Sequence, residues 1–108
     1  MASSAGFVAY VAEQLQGAGV ITYRKMFGEY GFYCNGKFFA CVCDNQLFVK
    51  ITEAGGELLK DPQTAPPYEG AKPYFLITDL EDRERLHRLA AVTCAALPEP
   101  KPKKERRK

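Results

Sequence analysis

The pair Asn35-Gly36, set between Tyr30 to Cys34 and Lys37 to Cys43, constrains this chain more than any other feature. Both central residues of a type I′ turn need positive φ, which Asn and Gly tolerate best, so the pair predicts a tight antiparallel hairpin. Asp44-Asn45 repeats the device before Gln46 to Ile51 and predicts a three-strand meander. With two residues in each reversal, register follows by counting. Tyr33 is expected opposite Phe38, Phe32 opposite Phe39 and Tyr30 opposite Cys41. On the next pair Val42 is expected opposite Leu47, Cys41 opposite Phe48 and Ala40 opposite Val49.

Alternation then divides the meander into two faces. Gly31, Tyr33, Phe38, Ala40, Val42, Leu47, Val49 and Ile51 make one, with the composition of a layer covered by helices. The other collects Tyr30, Phe32, Cys34, Lys37, Phe39, Cys41, Cys43, Gln46, Phe48 and Lys50. A solvated sheet face should turn toward charged residues and Thr, yet this one presents four rings with lysines at its edges. Tyr30, Phe32, Lys37, Phe39, Phe48 and Lys50 are therefore the candidate interaction face, unless the last helix or the Pro-rich segment folds over it.

Around the meander, Ser3 or Ser4 caps a helix carrying Phe7, Val8, Val11 and Leu15 on one face, and Gly17-Ala18-Gly19 ends it. Val20 to Met26 has the β-branched and aromatic content of a strand. Gly28 and Gly31 suggest a turn or bulge between it and the meander. Thr52 to Lys60 reads as a short helix, Asp61 to Pro73 as an irregular loop, and Tyr74 to Ile77 as a further strand. Thr78 to Glu81 has the form of a capping box, with Asp79 or Asp82 as alternative caps. A last helix follows with Leu86, Leu89, Ala90, Thr93 and Leu97 as its apolar stripe, stopped by Pro98. The expected architecture is α+β: two layers, an antiparallel sheet of about five strands, and element order α-β-β-β-β-α-β-α.

With 108 residues, 46% hydrophobic, the chain fits one domain, expected over residues 1–97. From Pro98 onward six Lys/Arg stand against two Glu, which leaves the preceding residues with nine against eleven. That Pro-rich tail, 98–108, is expected to be extended and disordered. Its Lys101, Lys103, Lys104, Arg106, Arg107 and Lys108 are candidate contacts for a polyanion. No apolar run reaches a membrane span, no secretory signal is visible, and a cytoplasmic location with four reduced cysteines is expected.

Chemistry finds little footing. Zinc holds sulfurs at ~2.3 Å, whereas the predicted register separates Cys34 from Cys41 by on the order of 13 Å. Cys94 and His87, on the last helix, form no ligand pair with the sheet by spacing, so the cysteines read as small packed hydrophobes. His87, among Glu84, Arg85 and Arg88, is expected to be solvated, which leaves no cysteine a base. Glu81, Asp82 and Glu84 suit the N-terminal dipole of a helix. Neither a P-loop nor a dinucleotide fingerprint occurs. No enzyme activity, metal, cofactor, small-molecule substrate or membrane partner is expected.

The segment Arg24 to Tyr33, the Asn-Gly hairpin, Leu47-Phe48-Val49-Lys50, the Pro-rich stretch ending at Tyr74 and the Glu81-Asp82 helix start together resemble the N-terminal domain of the TfoX/Sxy family. Met26, Phe27, Gly28, Tyr30, Gly31 and Tyr33 form the most specific part of that likeness. The resemblance implies a two-layer α+β domain. It also implies a regulatory role, since longer members are bacterial competence regulators that work with a cyclic-AMP-responsive transcription factor and carry a second, helical domain absent from this sequence. It carries no catalytic residues across. Two ways of acting remain open: a protein-interaction domain that binds a partner or forms a homodimer through the aromatic face, or an accessory protein that binds nucleic acid through that face and the basic tail.

Overall fold

A computed structural model of the chain describes residues 3–26 and 29–98. Three helices lie on one side of a six-stranded antiparallel sheet. The first helix, α1 (Ala5–Leu15), is capped by Ser4, whose hydroxyl accepts the Phe7 amide at 3.1 Å, and it buries Val8, Val11 and Leu15. Strands β1 (Ile21–Met26), β2 (Glu29–Cys34), β3 (Lys37–Cys43) and β4 (Gln46–Val49) follow. After them come α2 (Glu53–Leu59), β5 (Thr64–Ala65), β6 (Tyr74–Ile77) and α3 (Arg83–Ala96). The strands lie in the order β1-β2-β3-β4-β6-β5. The two-residue β5, inside the stretch expected to be irregular, pairs with β6.

Both reversals have the backbone their residues predict. Asn35 and Gly36 sit at φ 53° and 84°, Asp44 and Asn45 at 53° and 55°. Register from β3 to β4 follows the count, with Ala40 opposite Val49, Cys41 opposite Phe48 and Val42 opposite Leu47. Between β2 and β3 it does not. Tyr33 faces Phe38 as expected, but Phe32 faces Ala40 and Tyr30 faces Val42, which leaves Phe39 without a partner. This is a β-bulge, and it sends Phe39 and Ala40 to the same side of the sheet. The bulge therefore lies on β3, while Gly31 continues in regular pairing with Arg24 and Cys41. Gly28, the other position expected to turn, is outside the described residues.

The bulge is held by what it buries. The Phe39 ring is 1% exposed and sits with Phe32, Val42, Leu47 and Val49 under the helices. Burying a ring of this size contributes about 1.5–3 kcal/mol, more than the one ladder pairing it interrupts. On the same side α2, capped by Thr52, approaches closely because Gly55 has no side chain: a Cβ there would stand 3.1 Å from the Phe75 ring and 3.2 Å from Leu89. The last helix starts one turn later than the Thr78 box suggests. Asp82 is its cap, accepting the Arg85 amide at 3.1 Å, and Leu86, Leu89, Ala90, Thr93 and Cys94 are buried. No described helix is long and apolar enough to cross a membrane.

Candidate functional site

The six residues grouped by counting do not share a face. Phe32 and Phe39 are in the helix-covered core, and Tyr30 is half-buried against it. At the sheet's edge the Tyr23 ring stacks on Phe32 at 5.1 Å and lies 6.2 Å from Tyr30. Lys37 is structural: its ammonium donates to the carbonyls of Cys94 at 3.0 Å and Leu97 at 3.1 Å, where the dipole of α3 ends. Only Phe48 and Lys50 remain on the opposite side.

That opposite, outer side receives none of the described helices. Its apolar cluster of Cys41, Cys43 and Phe48, packed by Phe38, Ala65, Tyr74 and Leu76, is built from strands alone. Across it runs a row of two rings with a cation at either end. The Arg24 guanidinium carbon stands 5.4 Å from the centre of the Tyr33 ring, Tyr33 and Phe38 are 5.5 Å apart at 57°, and the Lys50 ammonium stands 5.0 Å from the centre of Phe38. Regular pairing of β1 with β2, followed by the bulge, produces this row, since Tyr33 and Phe38 face each other just outside the shifted segment.

Phe38 and Lys50 also line a half-open cleft of about 660 Å³, closed on its far side by Tyr68, Lys72, Pro73 and Tyr74. The turn that holds Tyr68 in place is closed by the Ala71 amide donating to the Tyr68 carbonyl at 3.1 Å, with Gly70 at φ 88° as its third residue. That φ suits glycine. The cleft lining carries two lysines and no carboxylate. Burial, with the nearby Cys41, Tyr68 and Cys43, raises the Tyr74 phenol above its ordinary range, so it remains a neutral donor.

The titratable groups elsewhere are structural. Burial, followed by Cys43, pushes the Cys41 thiol up to about 12, and burial, followed by Cys94, pushes Cys34 to about 11. Spacing alone paired Cys94 with nothing on the sheet; the fold brings its thiol to the Cys34 carbonyl at 3.3 Å. Among the described residues no three of His, Cys, Asp or Glu converge as metal ligands would. His87 is not solvated as expected. It is half-buried, and Nε2 donates to the Gln14 carbonyl of α1 at 3.0 Å. Burial pulls the Glu29 carboxyl upward, but hydrogen bonds from the Asp44 amide and from Ser3 outweigh it and leave the group below its ordinary range.

Sequence reasoning missed Arg24, Tyr33, Phe38, Tyr68, Lys72 and Tyr74 as surface residues. Tyr33 and Phe38 were assigned to the covered face by a count that a bulge defeats. Tyr68 and Lys72 stand in the Pro- and Gly-rich segment, whose length was the one available signal. Of the family-motif residues, Phe27 and Gly28 lie outside the described residues, as do Lys101, Lys103, Lys104, Arg106, Arg107 and Lys108 of the tail.

A helix layer on one side of the sheet and a ring-and-cation surface on the other define a small α+β domain. The particular family follows: residues 13–97 match the TfoX N-terminal domain, and the chain belongs to that family. It is also 39% identical over 109 residues to an uncharacterized 12.7 kDa protein in the trpE 5′ region of Spirochaeta aurantia, a match covering 100% of this chain and 95% of that protein.

Proposed function

We propose that this protein is a non-catalytic regulatory domain that acts by holding an anionic macromolecule against the outer face of its sheet. The regulatory role rests on family membership, competence regulators being the members it resembles. The carrying observation is the one-sign charge of the outer row and cleft. The helices carry both signs, Glu13, Glu53, Glu57 and Glu84 with Arg83, Arg85, Arg88 and the terminal Lys60, whereas the outer row and the cleft lining offer Arg24, Lys50 and Lys72 and no carboxylate. A body with a slight acidic excess therefore carries a local cationic patch along this row and cleft.

The same observation weighs against a homodimer formed through this face. A twofold axis would bring like cations together with no carboxylate in the row to answer them. Retention on heparin tests the proposal. The triple variant Arg24→Glu, Lys50→Glu, Lys72→Glu should elute at much lower salt than the wild type. The control Lys60→Glu, Arg85→Glu, Arg88→Glu, with cations of α3 and of the α2 terminus reversed, should elute later than the outer-face variant. Equal elution of the two would refute the proposal.

A further inference from the structure

We infer that the anionic partner is a single-stranded nucleic acid, its bases stacking on Tyr33, Phe38 and the rings of the cleft while Arg24, Lys50 and Lys72 meet its phosphates. This rests on the reading of the outer face as a binding surface and names what it binds. An acidic protein segment would need the cations alone. Here cations and rings come together: Arg24 lies on Tyr33, Lys50 on Phe38, and Lys72 shares the cleft lining with Tyr68 and Tyr74. Tyr68 is 65% exposed, although large hydrophobic side chains are mostly covered in this fold.

Single-strand binding sites combine these two elements, an electrostatic track and aromatic stacking platforms. The ring faces of Tyr33 and Phe38 are held by flexible cations, and such exposed contacts are weak. An incoming base therefore displaces the cation easily, and the freed charge remains within reach of the adjoining phosphate. Stacking on one ring is worth about fivefold to about a hundredfold in affinity, enough to drive that exchange. A duplex keeps its bases stacked on one another and offers this flat surface only its backbone. Phe38 and Lys50 belong both to the cleft lining and to the row, so the two adjoin and a strand laid on one can continue onto the other. The turn also carries Glu69, which is outside the cleft lining.

Fluorescence anisotropy of a labelled oligothymidine of about 12 nucleotides, with an oligouridine beside it, tests this on the full chain. The oligomer should bind. From about 50 to about 200 mM salt, its affinity should fall about twentyfold through the three track cations alone, and further if the tail contributes. Phe38→Ala and Tyr68→Ala should each weaken binding at least about fivefold, while a duplex of equal length binds less tightly than the single strand. Tyr68→Ala removes an exposed ring and keeps the test independent of folding. If Arg24→Ala and Lys50→Ala weaken binding but the ring variants do not, or polyglutamate competes as well as the oligomer, the inference is overturned while the anionic-partner reading stands. If neither rings nor row cations matter, both fail. Absence of any binding also overturns the inference, and heparin retention then decides the broader reading.

Discussion

The two faces of this sheet draw on the same residue types and put them to opposite uses. Beneath the helices, Phe32 and Phe39 are closed off from solvent, and Lys37 on that side is spent on the carbonyls ending α3. On the outer side Phe38 and Tyr33 keep part of their surface, and Arg24 and Lys50 lie over them. Phe38 and Phe39 are consecutive in sequence, and a single bulge decides which becomes core and which becomes surface. A ring beside a lysine thus carries no fixed meaning until the register is known.

The neighbouring phenylalanines give the strongest way to break this contrast. Phe39→Lys should cost about 4 kcal/mol in urea denaturation, because it removes a packed ring and places a charge among apolar neighbours. Phe38→Lys should cost only about 1 kcal/mol, since its side chain can reach solvent. Equal losses would abolish the distinction between the faces. Next in size, Lys37→Met should lose about 2 kcal/mol by uncovering the end of α3, whereas Lys50→Met should be near neutral by the same measurement.

Thr93 sharpens the picture of the inner side. Its hydroxyl is buried on α3 with no hydrogen-bond partner among the described residues, so Thr93→Val should raise stability by about 1 kcal/mol. A loss would show that the hydroxyl is satisfied after all. The smallest effect is a pH dependence. Cys34 at about 11 and Cys41 at about 12 have thiols raised by burial, relative to ~8.5 unfolded. A group whose folded value is raised contributes fully below its unfolded value and loses that contribution as pH rises through the folded one. Urea midpoints should therefore be level near neutrality and fall from about pH 9 toward pH 12, less steeply in Cys41→Ala. An identical fall in that variant would remove the thiol from the explanation.

Much of the fold was legible because its signals are local. Ser4 and Thr52 cap helices as their positions suggest, and both reversals follow from residues that accept positive φ. Element order came from the same punctuation. The candidate surface was not legible, because the bulge at Phe39 has no local mark: neither glycine nor proline stands there, and a Phe-Phe pair reads as ordinary alternation. What selects it is the volume to be filled under α1 and α3, a property of the assembled layers. The cation at position 37 was misread for a related reason, since its partners, Cys94 and Leu97, are about sixty residues further along and become neighbours only when α3 docks.

The most direct test of this account is a chemical-shift titration of the full chain with oligothymidine. The shifts should concentrate on Arg24, Tyr33, Phe38, Lys50 and residues 68–74, leaving the buried Phe32, Phe39 and Leu89 unmoved. Shifts centred on α1 and α3, with the outer row silent, would contradict it.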